Sequence, residues 1–139
     1  MKKIVAFLLT GLFFGVFAQP KIVIKDPWVR AVPPTLKNTA LFMVIENNGD
    51  SPDVLIAVKT DICNKVMVHK TENSKGVMKM LHVEKLKIPP HSKVVFKPGS
   101  YHVMLMGLKE PIKPGEKVKF TLIFDKSGAI TIQAPVEMK

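Results

Sequence analysis

The sequence predicts one all-β domain, a sandwich or barrel with Greek-key connections. Short apolar runs of strand length, rich in Val, Ile, Phe and Thr, recur along the chain. Eleven prolines and eight glycines punctuate them, and beyond the N-terminus no window carries a long helical period. Many short strands at regular spacing pack as two facing sheets or as one closed sheet. The 139 residues suit a single core, because one domain typically takes about 100–200 residues.

In order, the expected strands cover residues 22–24, 40–46, 54–59, 66–69, 77–83, 93–96, 101–108, 117–124 and 129–136. Turn clusters separate them: 47–52 (Asn-Asn-Gly-Asp-Ser-Pro), Pro89–Pro90, Pro98–Gly99–Ser100 and Pro114–Gly115–Glu116. Lys126–Ser127–Gly128 reads as the hairpin turn that joins the last two strands. Side chains alternate between the two faces of a strand, so Val118, Phe120, Leu122 and Phe124 form one core wall, with Lys117, Lys119 and Thr121 turned away. Trp28, Phe42, Phe96 and Tyr101 are expected in the same interior.

The N-terminus has another purpose. Lys2 and Lys3 precede an apolar stretch over residues 4–14, and Val16 and Ala18 supply the small residues of a cleavage site. This is the pattern of a secretory signal, cut after Ala18, and its apolar run is too short for a stable membrane anchor. The domain is then residues 19–139, with no cysteine at the cut to carry a lipid. The net charge of +10 raises the question of nucleic acid. Arg30 is the sole arginine, the lysines are scattered, and export removes the chain from nucleic acid, so the charge reads as a solvated surface that steers acidic partners. One cysteine excludes an internal disulfide framework and a Cys-only metal site.

The residues that carry chemistry are His and Met. Met78/Met80 and Met104/Met106 are tight pairs, while His69 follows Met67 and His102 precedes Met104, each at spacing two. Spacing two in a strand places both side chains on one face. His102, Met104 and Met106 therefore project together, away from Tyr101, Val103 and Leu105. If 66–69 and 77–83 form a hairpin in symmetric register, His69 faces Met78 and Met67 faces Met80, and all four share a side. Geometry alone does not choose among these methionines.

The donor types select the ion. Thioether sulfur is a soft, neutral ligand suited to Cu(I), and neutral imidazole also binds copper. Zinc would call for Cys, His or carboxylate. A blue-copper electron-transfer site needs a thiolate beside its His and Met ligands. Cys63, the sole thiol, lies ahead of His69 and outside both clusters, and reads as a small buried residue. Met43 and Met67 read as core filler and Met138 as a frayed terminus. Met78 and Met106 stand between packing and a place beside the metal. His82 is read as out of step with Met80, and His91 follows Pro90 in a turn; both are assigned structural or solvated roles.

Ten residues separate His69 from Met80, twenty-one separate Met80 from His102, and one separates His102 from Met104. With Gly-Val-Met-Lys-Met at 76–80, Gly-Ser-Tyr-His-Val-Met-Leu-Met-Gly-Leu at 99–108 and Trp-Val-Arg-Ala at 28–31, the chain resembles the PCu(A)C family of periplasmic copper chaperones. The resemblance spans the whole exported part. It implies a cupredoxin-like β-sandwich that holds one Cu(I) near its surface through His69, Met80, His102 and Met104, and so favours Met80 over Met78. It also implies a periplasmic protein that delivers copper to the CuA centre of cytochrome c oxidase or to a Sco-like thiol protein; the chain itself is expected to be a monomer. Where many relatives have Glu-Met after the first histidine, this chain has Lys70–Thr71, which removes one spare sulfur. The competing readings are a copper-sequestering protein with no delivery role and a metal-free interaction module. Neither paired carboxylates, a Ser/His/Asp order nor a phosphate loop suggests an enzyme.

Overall fold

The computed structural model describes residues 18–139, so the expected leader, apart from Ala18, lies outside the described residues. Ten strands follow in chain order: β1 (Ile22–Arg30), β2 (Asn38–Asn47), β3 (Asp53–Lys59), β4 (Cys63–Ser74), β5 (Val77–His82), β6 (Leu86–Ile88), β7 (Ser92–Phe96), β8 (Tyr101–Leu108), β9 (Lys117–Phe124) and β10 (Gly128–Glu137). Among the described residues there is no helix, and none long and apolar enough to cross a membrane. The all-β expectation holds.

The hydrogen-bonded order is β5-β4-β8-β7-β2-β1-β10-β9-β3-β6. Two layers arise because β1 meets β10 through a short parallel stretch, Val29 beside Val136 and Arg30 beside Glu137. Leu41 and Ile45 of β2, Val103 and Leu105 of β8, Leu55 of β3 and Phe120 and Leu122 of β9 fill the space between the layers. The alternation in β9 is as expected: Val118, Phe120, Leu122 and Phe124 are buried, and Lys117 and Lys119 are exposed. Full burial of one such side chain stabilises the fold by about 1.5–3 kcal/mol.

A bulge corrects the expectation for Trp28, while Phe42 is buried but outside the main core cluster. Pairing in β1 slips between Lys25 and Trp28, so three steps on β1 match two on β2. Asp26, just before Pro27, sits there at φ 50°. The extra residue reverses which side chains face inward. Ile22 and Ile24 pack on the core before the bulge, and Val29 does so after it. Trp28 therefore turns outward and lies on Phe42 across the strand pair, ring centroids 4.8 Å apart. Phe42 is covered from the outside, with the Arg30 guanidinium 5.3 Å from its ring centre. Phe96 and Tyr101 do join the interior.

Candidate metal centre

Strands β5, β4 and β8 lie side by side. The β4–β8 register sets His69 opposite His102 and Met67 opposite Met104. The β4–β5 register sets His69 opposite His82 and Thr71 opposite Met80. Directly paired residues share a face. Met67, His69, Met78, Met80, His82, His102, Met104 and Met106 thus all project from one side of the layer, while Val68, Val103 and Leu105 point into the core. Core burial enforces this: a slip by one residue would drive the imidazoles and thioethers into the interior.

The expected hairpin register is corrected. Symmetric pairing about Asn73–Ser74 would set His69 against Met78; the structure pairs Met78 with Asn73 and His69 with His82. Lys75 and Gly76, at φ 53° and 82°, form a two-residue turn closed by Ser74 and Val77. Two successive left-handed residues match the twist of a hairpin, and glycine adopts that conformation without strain. The pairing moves by four residues. An even shift leaves every side chain on its expected face and changes only its neighbours.

His102 is buried and oriented. Its Nδ1 lies 3.1 Å from the Ser100 carbonyl; a carbonyl only accepts, so Nδ1–H donates and Nε2 keeps its lone pair for a ligand. The same carbonyl accepts the Thr71 amide at 3.1 Å, which ties ring orientation to strand register. His69 lies between its neighbours, its ring centroid 5.7 Å from that of His102 and 6.0 Å from that of His82. Burial, then the charges that His102 and His82 can carry, hold its pKa below the usual 6.5. The shift favours the neutral ring, the state that binds metal. Its Nδ1 is buried with no hydrogen-bond partner in the protein, an orphan that a coordinated cation would satisfy.

Met80, His102 and Met104 line one cavity of about 420 Å³, together with Thr71, Phe42 and Arg30. The structure thus brings three of the four expected residues to one hollow and sets His69 beside one of them, His102. Met80 and Met78 are more than half exposed on the outermost strand. Met43 is core filler as expected, and Cys63 is a buried thiol whose pKa burial pushes up. Met67 is corrected: it is on the site face beside Met104, not in the core. His91 is solvated and pairs with Asp50 at 2.8 Å. His82 is the residue that sequence reasoning missed. Its spacing of two from Met80 puts it in step with that residue, and it ends the row His102–His69–His82.

Two imidazoles bound to one ion at about 2.0 Å place their ring centres on the order of 5–6 Å apart. The His69–His102 separation of 5.7 Å falls in that range. Among the described residues no three His, Cys, Asp or Glu side chains converge on a metal position. Beside the two imidazoles this face offers thioether sulfur, and a soft monovalent ion is the one that accepts it.

The LpqE-like family profile matches residues 22–136, nearly all of the described chain. The chain belongs to this LpqE-like, PCuAC-type family. A protein of Leifsonia xyli subsp. xyli named as a lipoprotein, Lxx21020, is 28% identical over 115 residues, 82% of this chain. The chain spans 68% and 62% of the lengths of the curated relatives it matches. Among solved structures, the copper-bound PCuAC domain from PmoF2 superposes with a TM-score of 0.74 at 32% identity, covering 88% of this chain and 97% of that one. Cu(I)-bound DR1885 from Deinococcus radiodurans gives a TM-score of 0.70 at 34% identity, covering 90% and 83%. The cupredoxin-like β fold of these PCuAC domains is the fold of this chain.

Proposed function

We propose that this PCuAC-type protein is an exported copper carrier that holds one Cu(I) through His69, Met80, His102 and Met104 and passes it to an acceptor protein. The observation that carries the reading is the convergence of neutral nitrogen and sulfur donors on one solvent-facing side of the sheet, with the His69 and His102 rings at ion-bridging distance. The copper named in two solved PCuAC relatives supports the same ion.

Four neutral ligands leave the ion its single positive charge and hold it without thiolate. Thiolate donates to Cu(I) more strongly than thioether does. Transfer to a thiolate-bearing acceptor therefore runs downhill, one ligand exchanged at a time. In this reading the compartment is the periplasm and the acceptor is the CuA centre of cytochrome c oxidase or a Sco-like thiol protein. Catalysis has no part in it.

Titration of Cu(I) against the chelator bicinchoninate tests the site. Wild type withdraws one equivalent. The His102→Ala/Met104→Ala protein withdraws none while its β-sheet circular dichroism is unchanged. Equal withdrawal by both proteins would refute the assignment.

A further inference from the structure

The row His102–His69–His82 crosses three adjacent strands and ends on β5, the edge of the sheet. Its two gaps are nearly equal, 5.7 Å and 6.0 Å between ring centroids, both near edge-to-face. Exposure rises along it: His102 is buried, His69 half-buried, His82 exposed. Met80 is two residues from His82 on the same strand face, so a thioether accompanies the outer pair as Met104 accompanies the inner one. If 5.7 Å suits a shared ion, 6.0 Å does too.

We propose that His69, His82 and Met80 form a second, outer copper position that overlaps the resident one and serves as its exit. This rests on the copper-carrier reading. In the exchange, a bond from Cu(I) to the free ring nitrogen of His82 forms as the bonds to His102 Nε2 and the Met104 sulfur break, while His69 and Met80 stay bound. With each imidazole in the neutral form that binds metal, the exchange moves neither proton nor electron. The ion then lies at an uncovered sheet edge, where an acceptor's donors reach it without opening the buried side of the site.

The proposal predicts a split between equilibrium and rate. His82→Gln retains the Cu(I) affinity of wild type within about twofold but slows Cu(I) release to bicinchoninate about tenfold, the effect of one lost stabilising contact on a barrier. Imidazole resonances of His82 shift when Cu(I) is added to the full domain, and those of His91 do not. Equal release rates, or a His82 ring that does not respond, would overturn the outer position and leave the carrier reading intact. A His82→Gln protein that loses its Cu(I) equivalent would also overturn it, because His82 would then be a resident ligand. Failure of wild type to bind Cu(I) at all would sink the carrier reading itself.

Discussion

Single residues decide which ion this surface takes. His102 has one nitrogen committed to the Ser100 carbonyl and the other free, whereas His69 carries a buried nitrogen with no partner. Replacing Met104 by Leu keeps the apolar volume and removes the sulfur. Cu(I) affinity is expected to fall at least about tenfold, a loss of about 1.4 kcal/mol or more, with the thermal midpoint of the apo-protein unchanged, as read by chelator competition and calorimetry. These donors were legible in the sequence because spacing two in a strand fixes a shared face whatever the partner strand does. His82 obeys the same parity, and the error there was one of counting. Trp28 was not legible: one inserted residue at Asp26–Pro27 inverts its face, and no periodicity announces a bulge.

At the scale of elements, two turns hold the site and the core in register. Gly76 stands at φ 82° with open space around it, so a β-branched residue there is strained by its backbone and not by a clash. Gly76→Val should fray the β4–β5 hairpin and weaken Cu(I) binding through the displacement of Met80, while the β9 amides remain protected in hydrogen exchange. On the far side, the Asp53 carboxylate at the start of β3 accepts the Lys126 and Ser127 amides, the Ser127 hydroxyl and its neighbour's Val54 amide, at 2.6–2.9 Å. Burial pushes its pKa up, but these four donors outweigh that and hold it below 3.8. The folded state thus favours the charged form. The stabilisation is present above the unfolded value of about 3.9 and is lost as pH falls through the lower folded value. Asp53→Ala should cost about 2–4 kcal/mol at neutral pH by leaving buried donors unpaired, and urea melts should show a smaller loss of stability on acidification than in wild type. Strand positions were readable from apolar runs, except for β6, whose three residues are too few to show a pattern. The β4–β5 register was not, because Asn73, Ser74 and Gly76 each suit a turn and the choice depends on which pair tolerates positive φ.

Over the whole molecule, the two layers supply the rigidity and one uncovered face supplies the chemistry. Phe120, fully buried between the layers, stands on β9, which pairs with β10 and β3 and with none of the strands that carry the His and Met side chains. Phe120→Ala should cost about 3–5 kcal/mol of stability with Cu(I) affinity unaltered below the melting transition, which would separate scaffold from site. The excess of positive charge is spread over scattered lysines, so transfer to an acidic acceptor should slow as salt rises while the stoichiometry of binding stays at one. The all-β class and the core wall of β9 could be read from alternation alone; the parallel β1–β10 junction that makes one sheet into two layers could not, because it joins the ends of the chain through only two residue pairs. The central claim is an ion bound by two nitrogens and two sulfurs. X-ray absorption at the copper edge of the Cu(I)-loaded protein should show nitrogen scatterers at about 2.0 Å and sulfur scatterers at about 2.3 Å, two of each; a shell of nitrogen or oxygen without sulfur would rule this site out.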